Sequence, residues 1–506
     1  MPDPPVLIVG AGPTGLTLGL RLARHGVPFR IVDQARGPGQ ASRAMVLQAR
    51  TLEFYGQLGL AEAVIKRGIP VETAHFREHG TEVASLSLKD VGAGISPYPF
   101  ALCFPQDDHE RFLVDQLALH GAAVEWGVAL HGFEDRAGSV RATLRGNGTQ
   151  EDCEAAYLCG CDGAHSVVRQ QLGLGFPGGT YDQLFYVADV AVAGPTTTDL
   201  FLQLGERSLV LMLPVRSSGM QRLIGIVPPG LVTQAKVTFE DVRPSAESLL
   251  GITVERANWF STYRVHHRVA ARFRVGRAFI LGDAGHLHSP AGGQGMNTGI
   301  GDAVNLSWKL AHVIQGRTGP GVLDTYEPER IAFARKLVET TDRAFQGMVG
   351  QGWSSRFLRS WFLPHLLPAL TGVAAVRRAM FSTLSQTRIS YRDSALSEGS
   401  AGQVRGGDRL PWLGGNYAGL AGLDWSLQVY GHVDPDLAHA AAALGVAVDS
   451  FGWDDAAATA GFARGAAYLL RPDGHVALAM PHPEAAILRA YAARIGLASR
   501  GGQAPC

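Results

Sequence analysis

Apolar residues along the chain change rhythm several times, and each change marks a different kind of element. Val6-Leu7-Ile8-Val9 is an uninterrupted apolar run ending at a glycine, the pattern of a strand buried on both faces of a parallel sheet. From Gly12 to His25, apolar residues at Leu16, Leu18, Leu20, Leu22 and Ala23 predict a helix on that sheet, closed at Gly26. Phe29 to Val32 is a second buried strand ending at Asp33, so the N-terminus reads as a βαβ unit with short connections. Helical spacing follows over Arg50–Lys66, a strand over Ala101–Phe104, helical spacing from Phe112 to Leu119, and another apolar strand from Ala155 to Cys161.

The character shifts at about residue 176. Val187–Val192, Leu209–Val215, Leu223–Val227 and Phe260–Val265 are short β-branched stretches separated by turns, as in a sheet-rich domain inserted into the first. Ala278 to Asp283 returns to the buried-strand style, and helical patterns run on to about Leu384. Beyond a Gly/Ser/Arg-rich stretch (397–407) come a strand (Leu427–Tyr430), a helix (Asp436–Leu444), a hairpin (Ala467–Leu470 and Val476–Met480) around Pro472-Asp473-Gly474, and a helix over Glu484–Ile495. The expected division is an α/β domain in two parts, 1–175 and 271–395, an inserted β-rich domain, 176–270, and a small C-terminal domain, 396–506. A length of 506 residues suits about three domains at roughly 150 residues each.

Composition narrows the partners. Forty-five basic residues balance 45 acidic ones, so the chain lacks the broad positive field of a nucleic-acid binder. Five cysteines, an odd number in a long chain, fit reduced thiols in a cytoplasmic protein rather than a disulfide framework. Met1-Pro2-Asp3-Pro4-Pro5 lacks the basic start of a secretory signal, and no apolar run approaches the roughly 18 residues of a membrane span.

Gly10-Ala11-Gly12-Pro13-Thr14-Gly15 is G-x-G-x-x-G, placed between a strand and a helix as dinucleotide binding requires. Gly10 permits the tight turn, Gly12 lets the backbone approach a pyrophosphate, and Gly15 lets the helix lie close to the sheet. Asp33, 18 residues after Gly15, ends the next strand where a carboxylate accepts from a ribose hydroxyl. The motif alone does not separate FAD from NAD. A second candidate, Gly92-Ala93-Gly94, has Pro97 in place of the third glycine and no helix pattern after it. Further on, the strand Ala278–Leu281 delivers Asp283, followed by a loop rich in glycine (Gly285, Gly292, Gly293, Gly295, Gly299) and a helix from about Gly301. An acid suits a polyhydroxyl chain, and the N–H groups of a helix start suit a ring that gains negative charge.

That last run, Gly276 to Gly299 with Asp302-Ala303-Val304-Asn305-Leu306-Ser307-Trp308-Lys309-Leu310 after it, closely resembles the flavin-binding segment of single-component FAD-dependent aromatic hydroxylases, the p-hydroxybenzoate and phenol hydroxylase family that includes aromatic polyketide hydroxylases. Cys161-Asp162-Gly163-Ala164-His165-Ser166-Val167-Val168-Arg169 is similar to the family's Asp-Gly motif, linked to both FAD and NAD(P)H. The resemblance covers about residues 1–395 and, more loosely, the tail. It implies a Rossmann-like FAD-binding domain with an inserted β-sheet substrate domain and a thioredoxin-like C-terminal domain. It also implies an FAD-dependent monooxygenase that consumes NADPH or NADH and molecular oxygen and hydroxylates a phenolic or polycyclic aromatic through a flavin C4a-hydroperoxide. A flavin-binding dehydrogenase or non-hydroxylating protein of the same fold is the alternative.

Residue by residue, the resemblance places Gly10, Gly12, Pro13, Thr14, Gly15, Asp33 and Gln34 against the adenosine and pyrophosphate, and Asp283 on the ribityl chain. Asp162 belongs to the Asp-Gly motif. Gly293, Gly295, Met296 and Asn297 would line the isoalloxazine, with backbone donors of the last three facing its N1–C2=O edge, and Pro290 would lie on its substrate side. Ser42-Arg43-Ala44 resembles the segment whose arginine touches FAD, which makes Arg43 also a candidate catalytic residue, and Gln106 resembles the flavin-contacting glutamine. The proton relay stays unassigned. Leu211, Met212, Pro214 and Tyr263 are the substrate-side candidates. Cys159 and Cys161, at period two on a buried strand, read as small core side chains, and His286 with His288 lacks the companion ligands of a zinc site, so no metal is expected. The tail has no Cys-x-x-Cys and serves packing or a homodimer contact.

Overall fold

The first apolar run forms β1 (Val6–Val9), inside a six-stranded sheet, in a computed structural model that describes residues 5–39, 44–78, 81–146, 148–194, 197–204, 208–234, 236–289, 292–349 and 373–498. β1 runs parallel to β2 (Phe29–Asp33) on one side and to Tyr157–Gly160 on the other, with Val6 opposite both Phe29 and Tyr157. Val124–Trp126 extends the sheet beyond β2, and Ala278–Ile280 extends it beyond Tyr157–Gly160. All four residues of β1 and all four of Tyr157–Gly160 are buried, because helices and the antiparallel meander Val128–Ala155, through Leu130, Val140, Ala142 and Leu144, pack on the sheet. The helix α1 (Pro13–Arg24) starts with proline in its first turn, where a missing N–H costs nothing. It packs on the long helix Gly295–Ile314, which is buried along nearly its whole length.

Departures from the sequence reading have local causes. The single helix expected over Arg50–Lys66 is two, Ala49–Gln57 and Ala61–Arg67. Gly59, at φ +73°, takes the left-handed conformation that ends the first. Three antiparallel strands between Val128 and Ala155 form a separate meander with charged outer faces.

The inserted region builds an eight-stranded sheet from Gly178–Val192, Leu200–Leu204, Leu209–Pro214, Gln221–Ile226 and Val254–Val269, with His286–Leu287 at one edge. Its other edge comes from before the insertion: Thr73–Glu78 pairs in parallel with Leu200–Leu204, and Thr81–Ser87 closes the sheet. The helix Phe239–Leu250, opened by a Thr238/Asp241 capping box, covers one face with Tyr186, Met212, Leu223 and Val254 beneath it.

The tail is thioredoxin-like. Ser426–Tyr430 lies parallel to Ala447–Phe451 and antiparallel to Ala467–Leu470, which pairs with Val476–Met480. Trp308, on the helix Gly295–Ile314, enters the tail's apolar core and meets Trp425 edge to face at 5.5 Å. Charge accompanies it. Glu329, on the helix Tyr326–Val349, accepts from Arg471 through two bonds (2.8 and 2.9 Å) and from Lys309 (2.8 Å), and Arg471 also binds Asp473. Among the described residues no helix is long and apolar enough to cross a membrane.

Burial alone would raise the carboxyls of Asp302, Glu329 and Asp473, but Arg330 and His286 beside the first, Arg471 and Lys309 beside the second, and Arg471 and His475 beside the third hold all three below the ordinary range. A folded-state pKa below the unfolded one contributes stability that is present above pH about 4 and is lost as pH falls further, on the order of 1–3 kcal/mol for each group. Burial also pushes His109, His288 and His475 down, so the folded state holds them neutral while the unfolded chain protonates them. Tm measured calorimetrically should therefore begin to fall below about pH 6.5 and fall more steeply below about 4. Glu329→Gln should be less stable at neutral pH and show a shallower acid slope.

Candidate active site

The glycine motif folds as its spacing demands. Gly10 sits at φ +103°, and a Cβ there would collide with the Cys161 carbonyl. A Cβ on Gly15 would collide with the Gly10 carbonyl, so α1 lies against the β1 turn only without one. Around Gly12 the situation is reversed: a Cβ there would meet nothing within 4 Å. That opening lies at the positive end of α1, whose first N–H groups have no intrahelical acceptor, and it has the shape and polarity of a pyrophosphate cradle. Asp33 closes one side of the turn, accepting from the Ala11 N–H at 2.7 Å and the Ala35 N–H at 2.8 Å while keeping lone pairs for a hydroxyl. Gln34 beside it is exposed.

Thr14, in the first turn of α1 after the buried Pro13, ties this motif to the second. The Thr14 hydroxyl lies where a Cβ on Gly282 would come within 2.7 Å of it, and a Cβ on Gly299 would clash with it outright. Gly282, at φ +58°, begins the one-turn 3₁₀ helix Gly282–Ala284 that presents Asp283 at the surface of the cleft. The turn is clamped from beneath by Asp302, fully buried, which accepts from the Gly282 N–H (2.9 Å) and Arg330 Nε (2.5 Å) and bonds His286 Nε2 (2.7 Å).

Asp162 of the third motif accepts from the Val168 N–H at 3.1 Å through Oδ2. Its Oδ1 is buried without a hydrogen-bond partner among the described residues, and burial raises the carboxyl. An orphaned acceptor at the edge of the cleft fits a ligand that brings a donor. Arg169 is held by the Ala284 and Ala164 carbonyls, so the Asp-Gly motif and the Asp283 turn are one unit.

The ring end is set by Asn297. Its amide oxygen accepts from the Gln48 N–H (2.8 Å) and Thr51 Oγ1 (2.7 Å), and its amide nitrogen donates to the Val46 and Gly293 carbonyls (both 2.9 Å). With the side chain fully engaged, what Asn297 offers a ligand is its backbone N–H, beside those of Gly295 and Met296 in the first turn of the helix. Gly293 packs against Val46. Gln106 donates to Glu110 (2.8 Å), and Glu110 accepts from the Gly39 N–H (2.9 Å). Glu110 fixes both groups, and the sequence reading passed over it because a helical Gln-x-x-x-Glu pair looks like surface pairing. Arg43 and Pro290 lie outside the described residues.

On the substrate side, Leu211 and Tyr263 join Met45, Cys103, Val187, Leu213, Ile224 and Trp259 in an apolar cluster that reaches the Gly293–Asn297 loop through Val46. Met212 is corrected: it points to the opposite face, under Phe239–Leu250, and strand alternation sends Pro214 the same way. Leu213, not Met212 or Pro214, shares the cluster with Leu211 and Tyr263. Leu-Val-Leu-Met-Leu-Pro is apolar at every position, so its two faces were indistinguishable in sequence. Cys103, Cys159 and Cys161 are fully buried or nearly so, with thiols pushed up by burial. Among the described residues no three His, Cys, Asp or Glu side chains are grouped to hold a metal. His288 instead holds the Ser289 carbonyl at 2.8 Å.

Three loops thus converge, bringing together the open space at Gly12, the exposed carboxylate of Asp283 and the helix start at Gly295. The chain belongs to the FAD-binding domain family, whose model matches residues 3–341. It is 36% identical over 417 residues to 6-methylpretetramide 4-monooxygenase of Streptomyces rimosus, covering 80% of this chain and 72% of that one. It is 31% identical over 420 residues to pentachlorophenol 4-monooxygenase of Sphingobium chlorophenolicum, covering 81% and 76%. Among solved structures it is similar to the anhydrotetracycline hydroxylase of Streptomyces rimosus (28% identity, TM-score 0.77, covering 97% and 98%). It is also similar to aklavinone-11 hydroxylase in a ternary complex with FAD and aklavinone (25%, TM-score 0.79, covering 98% and 100%). The chain is an FAD-dependent aromatic monooxygenase, a reading these similarities support over a flavin-binding dehydrogenase or non-hydroxylating protein of the same fold.

The glycines separate binding from folding. Gly12→Ala should leave the Tm of the FAD-free protein nearly unchanged and weaken FAD binding about tenfold or more, a loss of about 1.4 kcal/mol. Gly15→Ala should instead cost about 1–3 kcal/mol of stability before any ligand is added. Calorimetry of the FAD-free proteins beside flavin-fluorescence titration distinguishes the two.

Proposed function

We propose that this enzyme hydroxylates a polycyclic, polyketide-like phenol, taking two electrons from NADPH or NADH, placing one atom of O2 on the ring and releasing the other as water. The observation that carries this reading is the broad apolar sheet face of Met45, Val187, Leu211, Leu213, Ile224, Trp259 and Tyr263, continuous with the Gly293–Asn297 loop. A flat multi-ring substrate gains more from such a face than a single small phenol does, since the gain scales with the apolar area removed from water. The similarity to the anhydrotetracycline and aklavinone enzymes extends over nearly the whole chain, tail included, which supports the same choice.

Bound FAD supplies the hydride acceptance and oxygen activation that no side chain provides. The residues of this chain bind and orient. Asp33 would take the adenosine ribose, the Gly12 opening the pyrophosphate and Asp283 the ribityl hydroxyls, and the N–H groups of Gly295, Met296 and Asn297 would serve the ring edge that gains negative charge. The apolar sheet face excludes water and holds the aromatic substrate in position, which is where most of the protein's contribution to such a reaction lies.

The test is NADPH and NADH oxidation under ¹⁸O-labelled O2 with panels of simple phenols and of fused-ring polyketide phenols. The expected product is a fused-ring compound heavier by a single labelled oxygen, formed in proportion to the nicotinamide consumed. Turnover only of simple phenols, or hydrogen peroxide release with unchanged aromatics throughout, would sink the reading. Leu211→Arg, at a half-buried position of the same face, should abolish product formation while leaving FAD binding intact.

A further inference from the structure

Glu329 and Arg330 are neighbours on the helix Tyr326–Val349, both buried, and a helix turns successive side chains by about 100°. Their charges therefore act on different partners. Arg330 reaches into the flavin-binding domain, binding Asp302 through Nε (2.5 Å) and the Thr298 carbonyl through NH2 (3.1 Å), while its NH1 donates to the Tyr391 hydroxyl (2.8 Å), over whose ring Arg471 also lies. Glu329 reaches the other way, gathering Asn305 and Lys309 of the long helix, Ser394, and both arms of Arg471. Arg471 cannot reorient freely. Asp473 holds its Nε (3.1 Å) and NH2 (2.5 Å), and Asp473 in turn receives Trp308 Nε1 (3.3 Å) and bonds His475 (3.1 Å).

We propose that Arg471, on the hairpin of the thioredoxin-like tail, is a positioning residue for the flavin site. Its two-armed bond to Glu329 fixes the helix Tyr326–Val349 so that Arg330 keeps Asp302 on the Gly282 N–H, and with it the turn that presents Asp283. The tail, which lacks redox cysteines, thus completes the cofactor site without touching the cofactor. This rests on the assignment of the Asp283 turn to FAD.

The route is continuous in named bonds: Arg471 to Glu329, one residue along a rigid helix to Arg330, Arg330 to Asp302, Asp302 to the Gly282 N–H. Each side chain on it is at most 1% exposed, so water does not replace a missing partner. Trp308 anchors the tail by packing, but an indole in an apolar core permits small shifts that a two-armed ion pair does not.

Coupling between two sites is reciprocal, so the wild-type protein already tests the proposal. Adding FAD to the FAD-free protein should slow hydrogen exchange in the hairpin Ala467–Met480 as well as in the motif loops, and an unchanged hairpin overturns it. Three full-length variants then trace the route by FAD titration. Asp283→Asn should weaken FAD binding about tenfold or more, and Arg330→Lys and Arg471→Lys each about fivefold or more. The double variant Arg330→Lys/Arg471→Lys should be no weaker than the weaker single, because both interrupt one route. Arg471→Lys binding FAD within about twofold of wild type while Arg330→Lys binds weakly, or a double variant showing the product of the two losses, overturns the proposal. Wild-type affinity in Asp283→Asn overturns the assignment of the turn itself, and the proposal with it.

Discussion

Asp302 is the constraint on which the architecture turns. A carboxylate removed from water must find donors on nearly every lone pair or lose several kcal/mol. Asp302 finds them on a main-chain turn, a histidine and an arginine from three different elements. Removing Arg330 would leave a charge uncompensated in the core, a loss of about 3–5 kcal/mol, and the other two bonds tie the remaining elements to the same carboxylate. Thr14, wedged between Gly282 and Gly299, adds a steric condition to the electrostatic one: the two glycine motifs meet only if neither glycine carries a side chain.

Much of this was legible in sequence, and the rest was hidden for identifiable reasons. The strand–G-x-G-x-x-G–helix unit and the Asp283 run were readable because short-range backbone requirements impose glycines and one acid at set spacings. The parallel strands were readable because burial on both faces leaves an unbroken apolar run. Thr73–Glu78 and Thr81–Ser87 were not, since an edge hairpin of mixed polarity, Thr-Ala-His-Phe-Arg-Glu and Thr-Glu-Val-Ala-Ser-Leu-Ser, has no one-dimensional signature of the sheet it completes. The buried charges were hidden for a different reason. Lys309, Glu329, Arg330 and Arg471 look like ordinary surface residues on helices and a hairpin, and the ion pairs Lys309–Glu329, Arg330–Asp302 and Arg471–Glu329 span 20, 28 and 142 residues of sequence.

The segment Asp302-Ala303-Val304-Asn305-Leu306-Ser307-Trp308-Lys309-Leu310 shows how much structural work a recognisable motif conceals. Asp302 holds the Gly282 turn, Asn305 and Lys309 hold Glu329, Ser307 accepts from Arg21 of α1 at 3.0 Å, and Trp308 enters the core of the tail. These positions point in all directions around the helix, so the segment lacks the one-sided apolar stripe of a surface helix. Its role is to be the axle against which α1, the helix Tyr326–Val349 and the tail are all set.

The same helix must also serve the ring. Its first turn offers N–H groups and partial positive charge at Gly295, and seven residues later, about 10 Å along the axis, sits the carboxylate of Asp302. Left unpaired in a medium of low dielectric, that negative charge would oppose the helix terminus and weaken its hold on an electron-rich ligand edge. Arg330 and His286 face Asp302 directly, so most of its field closes on them rather than reaching the ring. The ion pair that fixes the Asp283 turn therefore also preserves the electrostatic function of the helix start. One buried arginine meets both needs because both meet at Asp302.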